Sequence, residues 1–334
     1  MYHRFSDAWS GDANVELEWQ LRKIRGGGFC AMSLGGYIER KEKGEEPENV
    51  VILTVDDGYR DFYSLAYPLL KKYGMPATVF ITAGFASGEI WFWWDKLRYV
   101  LSRLKKGGAR FLYQGRTFSL NGGSREQLNK TWDELSAYCV GLPEEGKKEF
   151  VESLAKSVGV HVPADAPEQF GPMSWSQIAD VSNNGVEIGS HTKSHPILSG
   201  ICGRELDEEI KDSKLEIEGK IGKKVRTFAH PNGQPQDYNK NVFDALQRAS
   251  YDCAVAAHDR ISSTNGKYAI TRMSIPGDRV EFLWKLYGMS SLVTGIRLAF
   301  FSLIGKQENP AADIRSSQKP FHEEYESDEG SSYN

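Results

Sequence analysis

The sequence has few cysteines, little net charge and no long apolar run, and each shortage excludes a class of protein. Four widely separated cysteines without a CxxC pair, in a chain of 334 residues, do not predict a zinc cluster or a disulfide framework. The net charge is only −4, and residues 306–334 contribute that much by themselves. The rest of the chain therefore lacks the excess of basic residues that nucleic-acid binding requires. No charge-free stretch is long enough to span a membrane.

The same features give an expectation about location. Scarce cysteine favours a reducing compartment, and the chain begins without a charged and then apolar leader, so the sequence as it stands predicts a cytoplasmic protein. Residues 1–4 are nevertheless typical of the end of a strand, which leaves open that an earlier segment has been lost. A secreted or envelope protein is the alternative.

Short apolar runs alternate with longer helical patterns, as expected for parallel strands joined by helical crossovers. Strands are predicted at 51–55, 77–82, 186–189, 225–229 and 253–257, and helices at 62–73, 174–184, 204–221 and 237–250. The alternation stops over residues 91–170, which contain two predicted helices near 127–139 and 144–158. We interpret this segment as a mainly helical insertion in one domain of residues 1–305. The polar, acidic residues 306–334 are predicted to be a disordered tail.

Polar residues with catalytic capacity follow several of the predicted strands. Asp56 and Asp57 end one strand, and His191, His230 and His258 each end another. The carboxyl ends of parallel strands meet on one face of a barrel or sheet, where active sites are assembled. The sequence therefore predicts one site that contains these side chains.

His191 and His195 are spaced four residues apart, which would place both imidazoles on one side of a helical turn that Pro196 ends. Two such histidines can bind one ion, and a carboxylate from a neighbouring strand end is the usual third ligand of a zinc site with an open position. Asp57 is the best candidate for that ligand. The alternative is an ordinary pair of surface histidines.

The Asp56-Asp57-Gly58 segment has two interpretations. It is compatible with a tight turn in which Gly58 supplies a positive φ. Adjacent carboxylates at a strand end also point in different directions, so one can bind a metal while the other takes a proton from a water molecule. On the second interpretation the protein is a hydrolase.

Three segments resemble the first three motifs of the polysaccharide deacetylases, the NodB-homology family or carbohydrate esterase family 4. They are Thr54–Gly58, His191–Pro196 and Phe228–Gly233. The likeness extends in order from about Tyr2 to Ile275, interrupted by the 91–170 insertion. The third motif looks closest to the branch associated with exopolysaccharide and lipopolysaccharide gene clusters.

This resemblance implies a distorted (β/α)₇ barrel and metal-dependent removal of N-acetyl groups from an amino-sugar-containing polysaccharide or glycan precursor. It assigns the catalytic base to Asp56 and the ligands of a divalent metal, with Zn²⁺ as the first candidate, to Asp57, His191 and His195. Backbone N–H groups in the third motif, at Asn232 and Gly233, would bind the oxyanion or the substrate.

The chain departs from the family pattern at two places. Ala229 stands where an arginine usually orients the base, and residues 269–275 offer no clear counterpart to the usual general-acid histidine, Arg272 being the prominent residue there. His230 or His258 could act as the acid instead, although each could equally be a packed or surface histidine.

Two alternatives to N-deacetylation stay open. The chain could remove another acyl group, such as formyl, from a lipid-linked amino sugar. It could also be a carbohydrate-binding relic without activity, given the missing arginine and acid. The sugar and its linkage are not predicted.

Two apolar segments also have two interpretations each. Residues 91–94 (Trp-Phe-Trp-Trp) could stack on a sugar or form core under the start of a helix. Residues 279–304 could lie on a membrane surface as an amphipathic segment or pack across the bottom of the barrel.

Overall fold

A computed structural model describes residues 1–6, 16–105, 107–258, 266–275 and 278–288. The strands in these residues are β1 (Cys30–Met32), β2 (Val50–Ile52), β3 (Thr54–Val55), β4 (Thr78–Ile81), β5 (Ala109–Tyr113), β6 (Arg116–Leu120), β7 (Glu187–Ser190), β8 (Thr227–Ala229), β9 (Cys253–Ala256) and β10 (Ile270–Thr271). Six of them form one parallel sheet in the order β10-β9-β8-β7-β4-β3. Each predicted strand therefore has a counterpart here, and predicted strand 51–55 is divided between β2 and β3.

The central strands are short and almost wholly buried, as expected for a parallel sheet covered on both faces. The packing between neighbouring strands is close. A Cβ atom added to Gly189 on β7 would lie 2.4 Å from the ring of Phe80 on β4. Glycine at this position therefore lets the two strands pack together.

Helices connect the strands, because parallel neighbours require a crossover. The α-helices are α1 (Glu16–Gly26), α2 (Leu34–Glu42), α3 (Tyr67–Tyr73), α4 (Ala83–Ala86), α5 (Trp93–Leu101), α6 (Arg125–Val140), α7 (Glu144–Ser157), α8 (Trp175–Asn183), α9 (Gly203–Asp207), α10 (Ser213–Ile221), α11 (Lys240–Arg248) and α12 (Arg279–Leu286). Two of the predicted helices contain π-helical turns, Phe62–Ala66 before α3 and Glu208–Asp212 between α9 and α10. Short 3₁₀ turns lie at Glu168–Phe170, Leu198–Gly200 and Gly266–Tyr268.

The N-terminal segment lies between the two outer strands of the sheet. Tyr2 forms an isolated parallel bridge with Val55 of β3, and the Met1 amino group donates to the Met273 carbonyl just after β10. The six strands are therefore curled, so that β3 and β10 approach each other. The N-terminal segment lies in the seam between these two strands. The fold is the predicted distorted (β/α)₇ barrel.

The insertion has a hydrophobic core of its own. The core is formed by α5, α6, α7 and the antiparallel hairpin β5–β6, and includes Leu97, Phe118 and Phe150. The two predicted helices correspond to α6 and α7. The hairpin was not predicted, although its strands bury alternate residues, Phe111 and Tyr113 in β5.

Contacts divide the chain into a unit of residues 1–274 and a second unit that begins at Ile275. The described part of the second unit contains α12, whose first turn is capped by the Asp278 carboxylate through the Glu281 N–H at 2.8 Å. The predicted tail, residues 306–334, and most of the segment 279–304 lie outside the described residues. None of the helices that the structure describes is long and apolar enough to span a bilayer.

Candidate metal centre and active site

Asp57, His191 and His195 meet at the carboxyl ends of the strands. The Oδ1 atom of Asp57 lies 3.6 Å from Nε2 of His191 and 3.7 Å from Nε2 of His195. One potential ligand atom from each residue lies within 4.8 Å of the others. The structure therefore brings together the three side chains that the sequence nominated as ligands.

The two histidines do not lie on a helical turn, so that prediction was wrong. Residues 191–196 form a loop in which Thr192 has φ +67° and His195 has φ +65°. These left-handed conformations break a helix and turn both imidazoles toward Asp57, which itself has φ +73°. Strained backbone of this kind clusters at functional sites.

The donor set fits a divalent cation. Oδ1 of Asp57 is buried and forms no hydrogen bond within the described residues. Nδ1 of His191 donates to the Ala229 carbonyl at 2.8 Å, which leaves Nε2 with a lone pair directed at the site. Two imidazoles and a carboxylate are the ligand set of a zinc site with an open position.

The electrostatics of the three groups agree with this assignment. Burial, followed by the nearby Asp56 and Asp95 carboxylates, raises the pKa of Asp57 well above its usual range. Burial lowers the pKa of His191. Burial, followed by the neighbouring His191, holds the pKa of His195 well below its usual value. Both imidazoles are therefore neutral, as metal ligands must be. A cation bound here would compensate the buried carboxylate.

Asp56 forms a bidentate ion pair with Arg272. Arg272 donates from Nη1 to Oδ1 at 2.6 Å and from Nη2 to Oδ2 at 2.7 Å, and both side chains are buried. Burial alone would raise the pKa of Asp56, but the charge and the hydrogen bonds of the Arg272 guanidinium hold it below the usual range. Arg272 thus fixes an ionised carboxylate. It lies immediately after β10, on the other side of the seam from β3.

His3 is a site residue that the sequence reasoning missed. Its Nε2 atom lies 4.0 Å from Oδ2 of Asp56, and half of its side chain is exposed. The strand-like start of the chain could have indicated it. Tyr2 pairs with β3, which places His3 at the end of a strand.

The two nominated histidines have other partners. His230 is buried, its Nε2–H donates to the Tyr268 carbonyl at 2.7 Å, and burial lowers its pKa to about 4. Nε2 of His258 lies 2.8 Å from the Tyr238 hydroxyl, and the Tyr238 ring stacks on His230. Both histidines follow strands as predicted. Their role as general acid stays a prediction.

Asn232 and Gly233 form a tight turn after β8, with φ +55° and +64°. A Cβ atom on Gly233 would lie 2.6 Å from the backbone nitrogen of Ala257, so the turn requires glycine. Their assignment to the oxyanion or the substrate stays a prediction.

The aromatic segment at the start of the insertion packs around a candidate ligand. The rings of Phe92 and Trp94 stack with centroids 4.3 Å apart, and Trp94 lies 4.9 Å from the imidazole of His195. Trp94 Nε1 donates to the Tyr59 hydroxyl at 2.9 Å, which donates to buried Asp95 at 2.5 Å. These contacts favour the core interpretation of residues 91–94. They also make the insertion one wall of the site.

Comparison with known proteins gives a family. The profile of the polysaccharide deacetylases matches residues 43–135 and 147–254. A putative polysaccharide deacetylase of Bacillus subtilis, YxkH, is 22% identical over 284 residues, which is 83% of this chain and 71% of that protein. The poly-beta-1,6-N-acetyl-D-glucosamine N-deacetylase of Staphylococcus aureus strain N315 is 26% identical over 143 residues, which is 42% of this chain and 49% of that protein.

Solved structures share the fold. The Streptococcus pyogenes deacetylase PplD, in complex with acetate, superposes with a TM-score of 0.54 at 21% identity, covering 86% of this chain and 95% of that one. IcaB from Ammonifex degensii gives a TM-score of 0.52 at 16% identity, with coverage of 86% and 93%.

Proposed function

The chain belongs to the polysaccharide deacetylase family, which makes it a carbohydrate deacetylase, and on that premise we propose that it hydrolyses N-acetyl groups of an amino-sugar-containing polysaccharide or glycan precursor. The observation that carries the proposal is the division between two adjacent carboxylates. Asp57 faces two imidazoles, whereas Asp56 faces Arg272. This arrangement supports Asp57 as a metal ligand and Asp56 as a proton acceptor, the two groups that amide hydrolysis by an activated water requires.

We propose a polymer of N-acetylglucosamine as the substrate class. Support comes from the staphylococcal relatives, whose names specify poly-beta-1,6-N-acetyl-D-glucosamine. The match to those relatives covers about half of their length, so their β-1,6 linkage is not carried over to this chain. The linkage is therefore the first variable to test.

The proposed metal, with zinc as the first candidate, would be held by Asp57, His191 and His195. When bound, such an ion supplies Lewis-acid polarisation of the amide carbonyl. The ionised Asp56 carboxylate accepts a proton from the attacking water, and Arg272 keeps that carboxylate oriented. Backbone N–H groups of the turn at 232–233 would stabilise the developing oxyanion.

His3 is the first candidate for the proton donor to the leaving nitrogen; burial lowers its pKa to about 4, so the Asp56 carboxylate beside it would have to help it hold that proton. The new C–O bond forms from water, the C–N bond breaks, and the amine receives the proton, which yields acetate and a free amino sugar. His3 lies beside the base and is half exposed, so a substrate can reach it. His230 and His258 are the alternative donors. Each of the three histidines can be replaced by asparagine in turn. The variant that lacks the true donor should lose the alkaline limb of the pH–rate profile, and the other two variants should keep it.

Acetate release from N-acetylglucosamine oligomers of different linkage tests the proposed activity. The wild type should release acetate, and Asp56→Asn should abolish release while the protein still binds metal. Turnover retained in that variant would contradict the base assignment. Formate release from an N-formyl amino sugar would favour the deformylase alternative. Oligosaccharide binding without any release, at full metal loading, would favour the inactive relic.

Peripheral membrane contact through 279–304 is a separate proposal. Three apolar side chains at helical spacing, Val280 and Trp284 on α12 and Tyr287 just after it, are 59%, 47% and 54% exposed. Trp284→Ser should weaken co-sedimentation with anionic vesicles, whereas Leu215→Ser, which replaces a residue 53% exposed on α10, should not. Equal sedimentation of both variants and the wild type would contradict the proposal.

A further inference from the structure

The loop that carries both histidine ligands is conformationally costly. Thr192 and His195 adopt φ values of +67° and +65°, which side-chain-bearing residues rarely populate. Such positions are energetically unfavourable and persist only where the surroundings enforce them. The groups that bind the loop therefore determine where the imidazoles point.

A single carboxylate outside the ligand set binds the middle of this loop. Oε2 of Glu209 accepts the backbone N–H of Lys193 at 2.8 Å and that of Ser194 at 2.9 Å. Its Oε1 atom accepts the Ser194 hydroxyl at 2.5 Å. Three donors between the two histidines thus converge on one buried side chain.

Glu209 is itself fixed by an irregular turn. It lies in the π-helical turn Glu208–Asp212, where the Ser213 hydroxyl donates to the Glu209 carbonyl at 2.7 Å. The same hydroxyl lies 2.9 Å from that of Ser190, the last residue of β7. Single π-turns inside helices are frequent at functional sites. Here the turn connects the Glu209 carboxylate to the strand that leads into the loop.

The opposite side of the loop is bound by backbone. The N–H groups of Ala83 and Gly84 donate to the carbonyls of Thr192 and Lys193 at 3.0 and 2.9 Å. A Cβ atom on Gly84 would lie 2.8 Å from the Lys193 oxygen. The loop is therefore clamped between the start of α4 and the Glu209 carboxylate.

From this geometry we propose that Glu209 is a positioning residue that sets the conformation of the metal-ligating loop, and so the affinity and coordination geometry of the metal. The inference rests on the proposed metal site. Glu209 lies outside the ligand set and supports the loop that carries two of its members. Mutation of residues that support metal ligands typically changes metal affinity by about 10- to 100-fold.

Three variants test the role. Glu209→Ala removes the acceptor of two backbone N–H groups, and Glu209→Gln keeps an acceptor oxygen with an amide that can donate to Ser194. Glu208→Ala is the matched control, since it removes a carboxylate from the same turn that pairs instead with Arg204, at 2.6 Å. The measurements are zinc affinity by competition, the visible spectrum of the cobalt-loaded protein, and hydrogen exchange of the Lys193 and Ser194 amides without metal.

We expect Glu209→Ala to bind zinc about 10- to 100-fold more weakly, to change the cobalt spectrum and to speed exchange at both amides. Glu209→Gln should recover most of the affinity, and Glu208→Ala should match the wild type. A lower unfolding midpoint with unchanged affinity and spectrum would overturn the inference. If the wild type bound no metal, the proposed function would fail instead, and unchanged amide exchange in Glu209→Ala would then refute the loop role separately.

Discussion

Replacing Arg272 by alanine should cost both stability and activity, because it leaves the Asp56 carboxylate buried without its partner. The pair is bidentate at 2.6 and 2.7 Å, and the two side chains are only 6% and 3% exposed. Removing one partner of such a pair costs about 3–5 kcal/mol of unfolding free energy. The pKa of Asp56, which the guanidinium holds below its usual range, should rise, because burial disfavours its charge.

A base with a raised pKa is protonated over a wider range of pH. The acid limb of kcat/KM should therefore move to higher pH, and turnover at neutral pH should fall by about 10²–10⁴, the usual contribution of a positioned base. Arg272→Lys is the control, since lysine restores the positive charge without the bidentate contact. Its acid limb should shift less than that of Arg272→Ala.

The assays are acetate release as a function of pH and denaturant unfolding at neutral pH. An acid limb that stays in place in Arg272→Ala, together with a loss of unfolding free energy below about 1 kcal/mol, would refute the view that this arginine maintains the base.

Further predictions concern packing and buried polar groups. Gly189→Ala should lower the unfolding free energy by about 1–3 kcal/mol, because its new Cβ would lie 2.4 Å from the Phe80 ring; unchanged denaturant stability would contradict the described strand packing. Tyr59→Phe should cost about 1–3 kcal/mol by removing the hydroxyl that donates to buried Asp95, and a neutral result in the same assay would show that this bond contributes little. Burial lowers the pKa of His230 to about 4, so the unfolded chain binds the proton more readily and stability should fall as the pH drops from about 6.5 to 4. His230→Asn should unfold with a weaker pH dependence over this interval, and an unchanged slope would exclude His230 as its source.

The convergence of the three candidate ligands could be predicted from sequence because it depends on topology. Parallel strands bring their carboxyl ends together, so Asp57, His191 and His195 could be placed at one site without coordinates. The local conformation of the histidine loop could not. A spacing of four residues is shared by a helical turn and by this loop, and only the left-handed φ values of Thr192 and His195 distinguish them.

The partner of Asp56 could not be predicted from sequence for a different reason. Arg272 and Asp56 are separated by more than two hundred residues, and meet only because the sheet curls until its outer strands face one another. No local pattern encodes that closure. His3 was missed similarly, since its proximity to Asp56 depends on the N-terminal segment lying in the seam.

The insertion shows which elements can be located from the spacing of apolar residues alone. The helices α6 and α7 are long and amphipathic, so their apolar spacing located them. The hairpin strands have five residues each. Runs this short are easily lost between helical patterns, although alternate residues are buried.

Bound metal per chain, measured in the wild type and in His195→Ala, tests the central claim most directly, because it requires no knowledge of the substrate. Nε2 of His195 lies 3.7 Å from the Asp57 carboxylate, so its removal deletes one of three converging ligands. We expect about one zinc ion per wild-type chain and its loss from the variant. A wild type that stays free of metal after zinc is added back, or a variant that retains it fully, would contradict the proposed metal site.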